Sequence, residues 1–143
     1  MAKSIWHSWI LVSTIVGVAY AVIGISFAIP STHAQMWRLA AWAVSAAAYL
    51  AHICYERFRL RTPPARAALH VALAVALGAF GIAVSANIHS LRLGSPHQHP
   101  PLLTLSLALW PLITAAPAFC VALVTSWVLK CVSALMAKVS VEV

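Results

Sequence analysis

Four long apolar stretches divide the chain, at about residues 5–29, 36–55, 65–88 and 102–129, with polar residues gathered between them. At ~1.5 Å per residue each can cross a ~30 Å hydrocarbon core, the second with least to spare. Lipid offers backbone groups no hydrogen-bond partner, so runs of this kind form helices. The alternating pattern of a barrel strand is absent. Pro30 closes the first stretch, and Thr62-Pro63-Pro64 marks a turn between the second and third, because proline favours the first turn of a helix and pushes the residue before it out of the α region. The expected fold is all-α: an integral membrane four-helix transmembrane bundle. It forms one domain over residues 1–143, with helices near 5–29, 36–60, 64–89 and 102–130.

Composition points the same way. Hydrophobic residues make up 63% of the chain and charged residues 8%, against roughly 25% charged in soluble domains. A small water-soluble protein has too much surface to cover it with so few polar groups. The net charge of +7 raises the question of nucleic acid. However, the basic residues sit at the ends of apolar runs rather than across a solvated face, so they read as topology and not as a nucleic-acid surface. With the N-terminus in the cytoplasm, Lys3, Arg57, Arg59, Arg61, Arg66, Lys130 and Lys138 lie inside, and only Arg38 and Arg92 outside. The positive-inside rule therefore places both termini in the cytoplasm. Trp6, Trp37, Trp42 and Trp127 fall near segment ends, where an interfacial aromatic belt would put them; Trp110 lies deeper. "STHAQ" (31–35) resembles a cleavage site after Ala34. A signal core is ~7–15 apolar residues and this run is longer, so it is read as a span.

Helices in lipid associate through close packing of small residues. The first segment offers Ser13, Gly17, Ala21, Gly24 and Ala28 on one stripe, and the third offers Ala74, Gly78, Gly81 and Ser85. Both stripes are expected inside the bundle. On the second segment Arg38, Ser45, His52 and Arg59 are seven apart, and Tyr49 and Glu56 join the same side. Heptad spacing drifts only ~20° per step, so these residues make one polar face, which should point into the bundle or a subunit interface. The fourth segment contains Pro111 and Pro117, which predict kinks and freed carbonyls that Thr114 and neighbouring helices can serve.

His52 and His70 are equally far in sequence from Arg61, so an antiparallel hairpin sets them at one depth. Two such imidazoles can ligate a b-type haem, with His7 or His89 at a second level. They can instead relay protons, or hydrogen-bond silently to Tyr49 or a backbone carbonyl. His33, His89, His97 and His99 gather in the outer loops. "SPHQHPP" (95–101) reads as an ordinary extended polar loop with no resident metal. Cys54, Cys120 and Cys131 form no CxxC pair, which argues against a disulfide or thiol redox chemistry. Glu56 and Glu142 are the only acids and there is no Asp, so neither a carboxylate pair nor a Ser-His-Asp triad is available. Gly-rich phosphate loops are also absent.

The expectation is thus a non-enzymatic bundle, an accessory or scaffold protein acting through helix contacts. Its partners are the lipid bilayer and further copies or a larger membrane complex. It would sit in the cell membrane, by association the bacterial inner membrane. Two alternatives remain open: an oligomeric small transporter or channel lined by Arg38, Ser45 and His52, and a haem-binding electron carrier using His52 and His70.

Overall fold

Four helices follow one another: α1 (Lys3–Ala28), α2 (Ala34–Cys54), α3 (Pro64–Leu93) and α4 (Pro100–Val139), with a π-helical turn, Tyr55–Arg59, continuing α2. The computed structural model describes residues 3–28, 32–93 and 100–139. Three helices are long and apolar enough to cross a membrane, over Trp9–Ala28, Pro64–Arg92 and Thr104–Met136. α2 is not among them, because Gln35, Arg38 and His52 dilute a run rich in weakly apolar alanine.

Side-chain register gives the topology. Trp9 meets His70, Gly17 meets Gly78, and Gly24 meets Ile82. The partner's number rises with that of α1, so α1 and α3 run parallel. Phe27 packs edge-on against Trp37, Glu56 meets His70, and Asn87 reaches Ser106. Each of these contacts lies near the connection between two consecutive helices, so the chain turns back on itself there and α1 and α2, α2 and α3, and α3 and α4 are antiparallel neighbours.

α3 is the central helix, packed extensively on α4 and α1, whereas α2 leans mainly on α1 and touches α3 and α4 lightly. Its composition explains this. Ala67, Ala68, Ala72, Ala74, Ala79 and Ala83 are all buried; their small side chains let helices approach from two sides. Ile53, Ala68, Val71 and Ala122 are buried together, with Tyr49, Phe119, Leu123 and Leu129 packed around them. On the α1 side the expected seam forms. A Cβ added at Gly78 would lie 2.5 Å from Tyr20 Cβ and 3.1 Å from the Gly17 carbonyl oxygen. One added at Gly17 would lie 2.9 Å from the Ala74 carbonyl oxygen. At Gly24 the obstacle is mainly Ile82 Cδ1, the far end of a side chain that can turn away. Ser13 and Ala74 are also buried in the seam, Ala21, Gly81 and Ser85 are half-buried, and Ala28 is exposed.

Three local features depart from the sequence expectation. Pro100 and Pro101 open α4 rather than extending the preceding loop, because a proline at the first helical position lacks only a donor that would be orphaned anyway. α4 then runs on as one helix of 40 residues through Pro111 and Pro117. The Thr114 hydroxyl donates to the Trp110 and Pro111 carbonyls. Neither is the carbonyl one turn before a proline, so Thr114 does not serve the freed groups. Finally, α2 ends in a π turn closed by Leu60 N–H to Tyr55 O at 3.2 Å and Thr62 N–H to Glu56 O at 3.0 Å. Arg61 there adopts φ 51°, in the left-handed region.

Two measurements test these packing constraints in detergent-solubilised protein. Gly78→Ala should lower stability by about 1–3 kcal/mol, since overpacking against backbone outweighs the gain in helix propensity. Gly24→Ala should cost clearly less, and equal melting midpoints for the two would contradict the seam. Arg61→Gly should be neutral or stabilising by up to ~1 kcal/mol, because glycine adopts positive φ without strain.

Candidate functional site

The π turn presents Glu56, the only acidic side chain among the described residues, to the interior, where it is 0% exposed. A carboxylate taken out of water is costly unless paired or hydrogen-bonded. Three neighbours answer that cost. The Thr62 hydroxyl donates to Oε2 at 2.7 Å. His70 Nδ1 lies 3.0 Å from Oε1, and a carboxylate acceptor selects the tautomer with its proton on Nδ1. His52 Nε2 approaches the same Oε1 but stops at 3.9 Å, beyond hydrogen-bond reach. Arg57, next in the chain, donates to the Thr62 carbonyl at 2.8 Å, which holds the turn that brings the Thr62 hydroxyl inward.

The surrounding helices complete the site. α1 lays Trp9 flat on His70, with ring centroids 4.2 Å apart and planes 7° from parallel. This fixes the imidazole's orientation while it faces Glu56. Two turns before Glu56 on α2, the Tyr49 hydroxyl donates to the Ala118 carbonyl and ties α2 to α4. His52 differs from the rest: it is 3% exposed, and neither ring nitrogen has a hydrogen-bond partner.

The expected polar stripe is thus inward only over its second half. Arg38 is exposed, Ser45 and Tyr49 are half-buried, and His52 and Glu56 are buried. Beyond them Arg59 is exposed again. A groove of about 310 Å³ opens instead along the far end of α3, beside Ser85, His89 and Arg92, and no stripe residue lines it. His52 and His70 are brought together as the hairpin predicts, but on a shared acid. Both rings face the Glu56 carboxylate, His70 at 3.0 Å and His52 at 3.9 Å, and an iron held between these nitrogens would have to displace it. Among the described residues no three His, Cys, Asp or Glu side chains are set to hold a metal ion. His33 and His89 are exposed, and His97 and His99 lie outside the described residues. Cys54, Cys120 and Cys131 are free and exposed.

Sequence reasoning missed Trp9, Thr62 and Asn87. Trp9 was detectable, since it stands four residues before Ser13 on the α1 stripe. Asn87 donates to Ala83 O at 2.8 Å and to Ser106 at 3.3 Å, linking α3 to α4; one polar residue in an apolar helix was its only signal. No known protein family, curated protein or solved structure matches this chain. Any functional reading therefore rests on the site's own chemistry.

The two histidines should respond oppositely to removal. His70→Leu leaves Glu56 with one donor and should cost about 1–3 kcal/mol. His52→Leu removes two unpartnered buried nitrogens at similar volume, so it should be neutral or stabilising. Thermal unfolding of the two variants in one detergent checks the contrast. Equal losses would show that His52 is satisfied after all.

Proposed function

We propose that the chain is a four-span membrane protein without enzymatic activity, an accessory or scaffold subunit that acts through helix contacts in the bilayer. The parallel course of α1 and α3 carries the topological part. Two spans that cross in the same direction require a return between them, and α2 with its π turn is the only helix available to make it. Its 21 residues, extended by the five of the π turn, suffice at ~1.5 Å each for a ~30 Å core. Arg57, Arg59, Arg61 and Arg66 surround the α2–α3 turn, which the positive-inside rule assigns to the cytoplasm together with both termini.

The closely fitted α1–α3 seam supports a contact-based role. The long exposed flanks of α2 and α4 carry Leu39, Trp42, Leu50, Leu112, Val124 and Leu135. In a bilayer these face lipid or neighbouring proteins, either further copies of this chain or other subunits. The transporter alternative loses its main support, because the deep half of the stripe is sealed around Glu56 rather than lining a path.

Reporter fusions test the topology. A reporter inserted after Thr62, or fused at the C-terminus, should behave as cytoplasmic, and one inserted between residues 94 and 99 as external. An external result after Thr62 would overturn the return through α2. Cross-linking in native membranes, followed by purification, should recover a second copy or a partner in fixed stoichiometry. A strictly monomeric, partnerless chain would refute the scaffold role.

A further inference from the structure

We propose that His52, Glu56 and His70 form a buried proton-binding site, occupied when His52 takes up a proton and closes onto the Glu56 carboxylate. Its geometry is that of a site with one bond unmade. Oε2 is engaged by Thr62 and Oε1 by His70, while His52 Nε2 faces the same Oε1 across 3.9 Å. That gap is too long for a hydrogen bond. It is also narrower than the ~4.5 Å spanned by a water with two ordinary hydrogen bonds. The ligand that fits is the proton itself. Protonated at both nitrogens, the imidazole becomes a cation beside a carboxylate and gains the donor it lacks. His52 and Glu56 stand one turn apart on the same helix, so a small rotation of the His52 side chain can close the gap.

The route follows the existing bonds. His70 is the member that reaches solvent, its side chain 12% exposed. A proton from water binds its Nε2, the Nδ1–H bond breaks, and that proton forms an O–H bond at Oε1 of Glu56. Transfer from Oε1 to His52 Nε2 restores the carboxylate, and His70 is left neutral with its proton on Nε2. The net change is one proton taken up at His52. The groups facing the cluster permit this. α1 brings Trp9. α2 brings Tyr49, whose hydroxyl is already bonded to Ala118 O. The turn brings Arg57, bonded to the Thr62 carbonyl. α3 adds the exposed Arg66 one turn from His70, and α4 packs Ala122, which does not titrate, against Ile53 beside the cluster.

The test uses the full chain in phosphatidylcholine vesicles, with histidine nitrogens labelled and read by solid-state NMR across a pH titration. His52→Asn identifies the His52 signal. The expected result is that His52 changes from neutral imidazole to imidazolium while the protein remains folded. In Glu56→Gln the midpoint should fall by about one pH unit, a tenfold loss of proton affinity, because the anionic partner is gone. A His52 that stays neutral throughout, or an unchanged midpoint in Glu56→Gln, would overturn the proposal. If Glu56→Gln does not fold, infrared spectra of Glu142→Gln take its place. The Glu56 carboxylate bands, then the only side-chain carboxyl signal, should shift at the His52 midpoint, and bands that ignore it would equally refute the site. The proposal does not depend on the scaffold reading, whose test is topology and partnership.

Discussion

The contact on which the other features depend is the close approach of two parallel backbones, α1 and α3, at Gly17 and Gly78. In lipid the apolar surface provides little drive for association, so helices must fit closely to remain together. A fit that leaves no room for a Cβ also fixes how far one helix can slide along the other. Two turns below the glycine contact, the same register sets Trp9 flat on His70. Without that alignment the imidazole would be free to turn away, and the carboxylate opposite it would be left with a single hydroxyl. Packing at one level of the bundle therefore determines the electrostatics at another.

The cluster itself is a hydrogen-bonded knot at the hairpin. One carboxylate serves a hydroxyl from the turn and an imidazole from α3, and a second imidazole from α2 waits just outside bonding distance. Three of these groups are satisfied and one is not. Buried polar groups in native proteins are seldom left unpaired; Ser13, Tyr20 and Ser126 share that state with His52, and what sets His52 apart is the carboxylate it faces. The asymmetry between His70 and His52 is for that reason more informative than the presence of two histidines.

Much of the architecture was legible in the chain. The glycine and alanine stripes of α1 and α3 met as their spacing implied, and the prolines at 63 and 64 marked the hairpin. The site was legible only in part. His52 and His70 came together because symmetry about a turn is a property of sequence distance. Glu56 was visible as a member of a stripe but not as its centre, since a centre is defined by what arrives from other helices. Thr62 depends on a π turn, and a single extra residue in one turn leaves no periodic trace in five residues. Pro100 and Pro101 carried an ambiguous signal: the same fixed φ suits an extended loop and a helix start, and context chose the second.

α4 also has a consequence for the membrane around the protein. Its candidate span, Thr104–Met136, contains 33 residues, and that of α3, Pro64–Arg92, contains 29, with Lys130, Arg66 and Arg92 near their ends. At ~1.5 Å per residue these measure roughly 50 and 43 Å, against a hydrocarbon thickness of ~30 Å. Two adjacent helices are thus longer than the hydrocarbon of an ordinary bilayer is thick. Tilting absorbs some of the excess, and the remainder must be met by thickening the lipid locally or by sharing the surplus with neighbours. In a bilayer, helices of these lengths would distort the lipid around them, and that distortion alone would favour thicker membrane regions and the company of other long-spanned proteins.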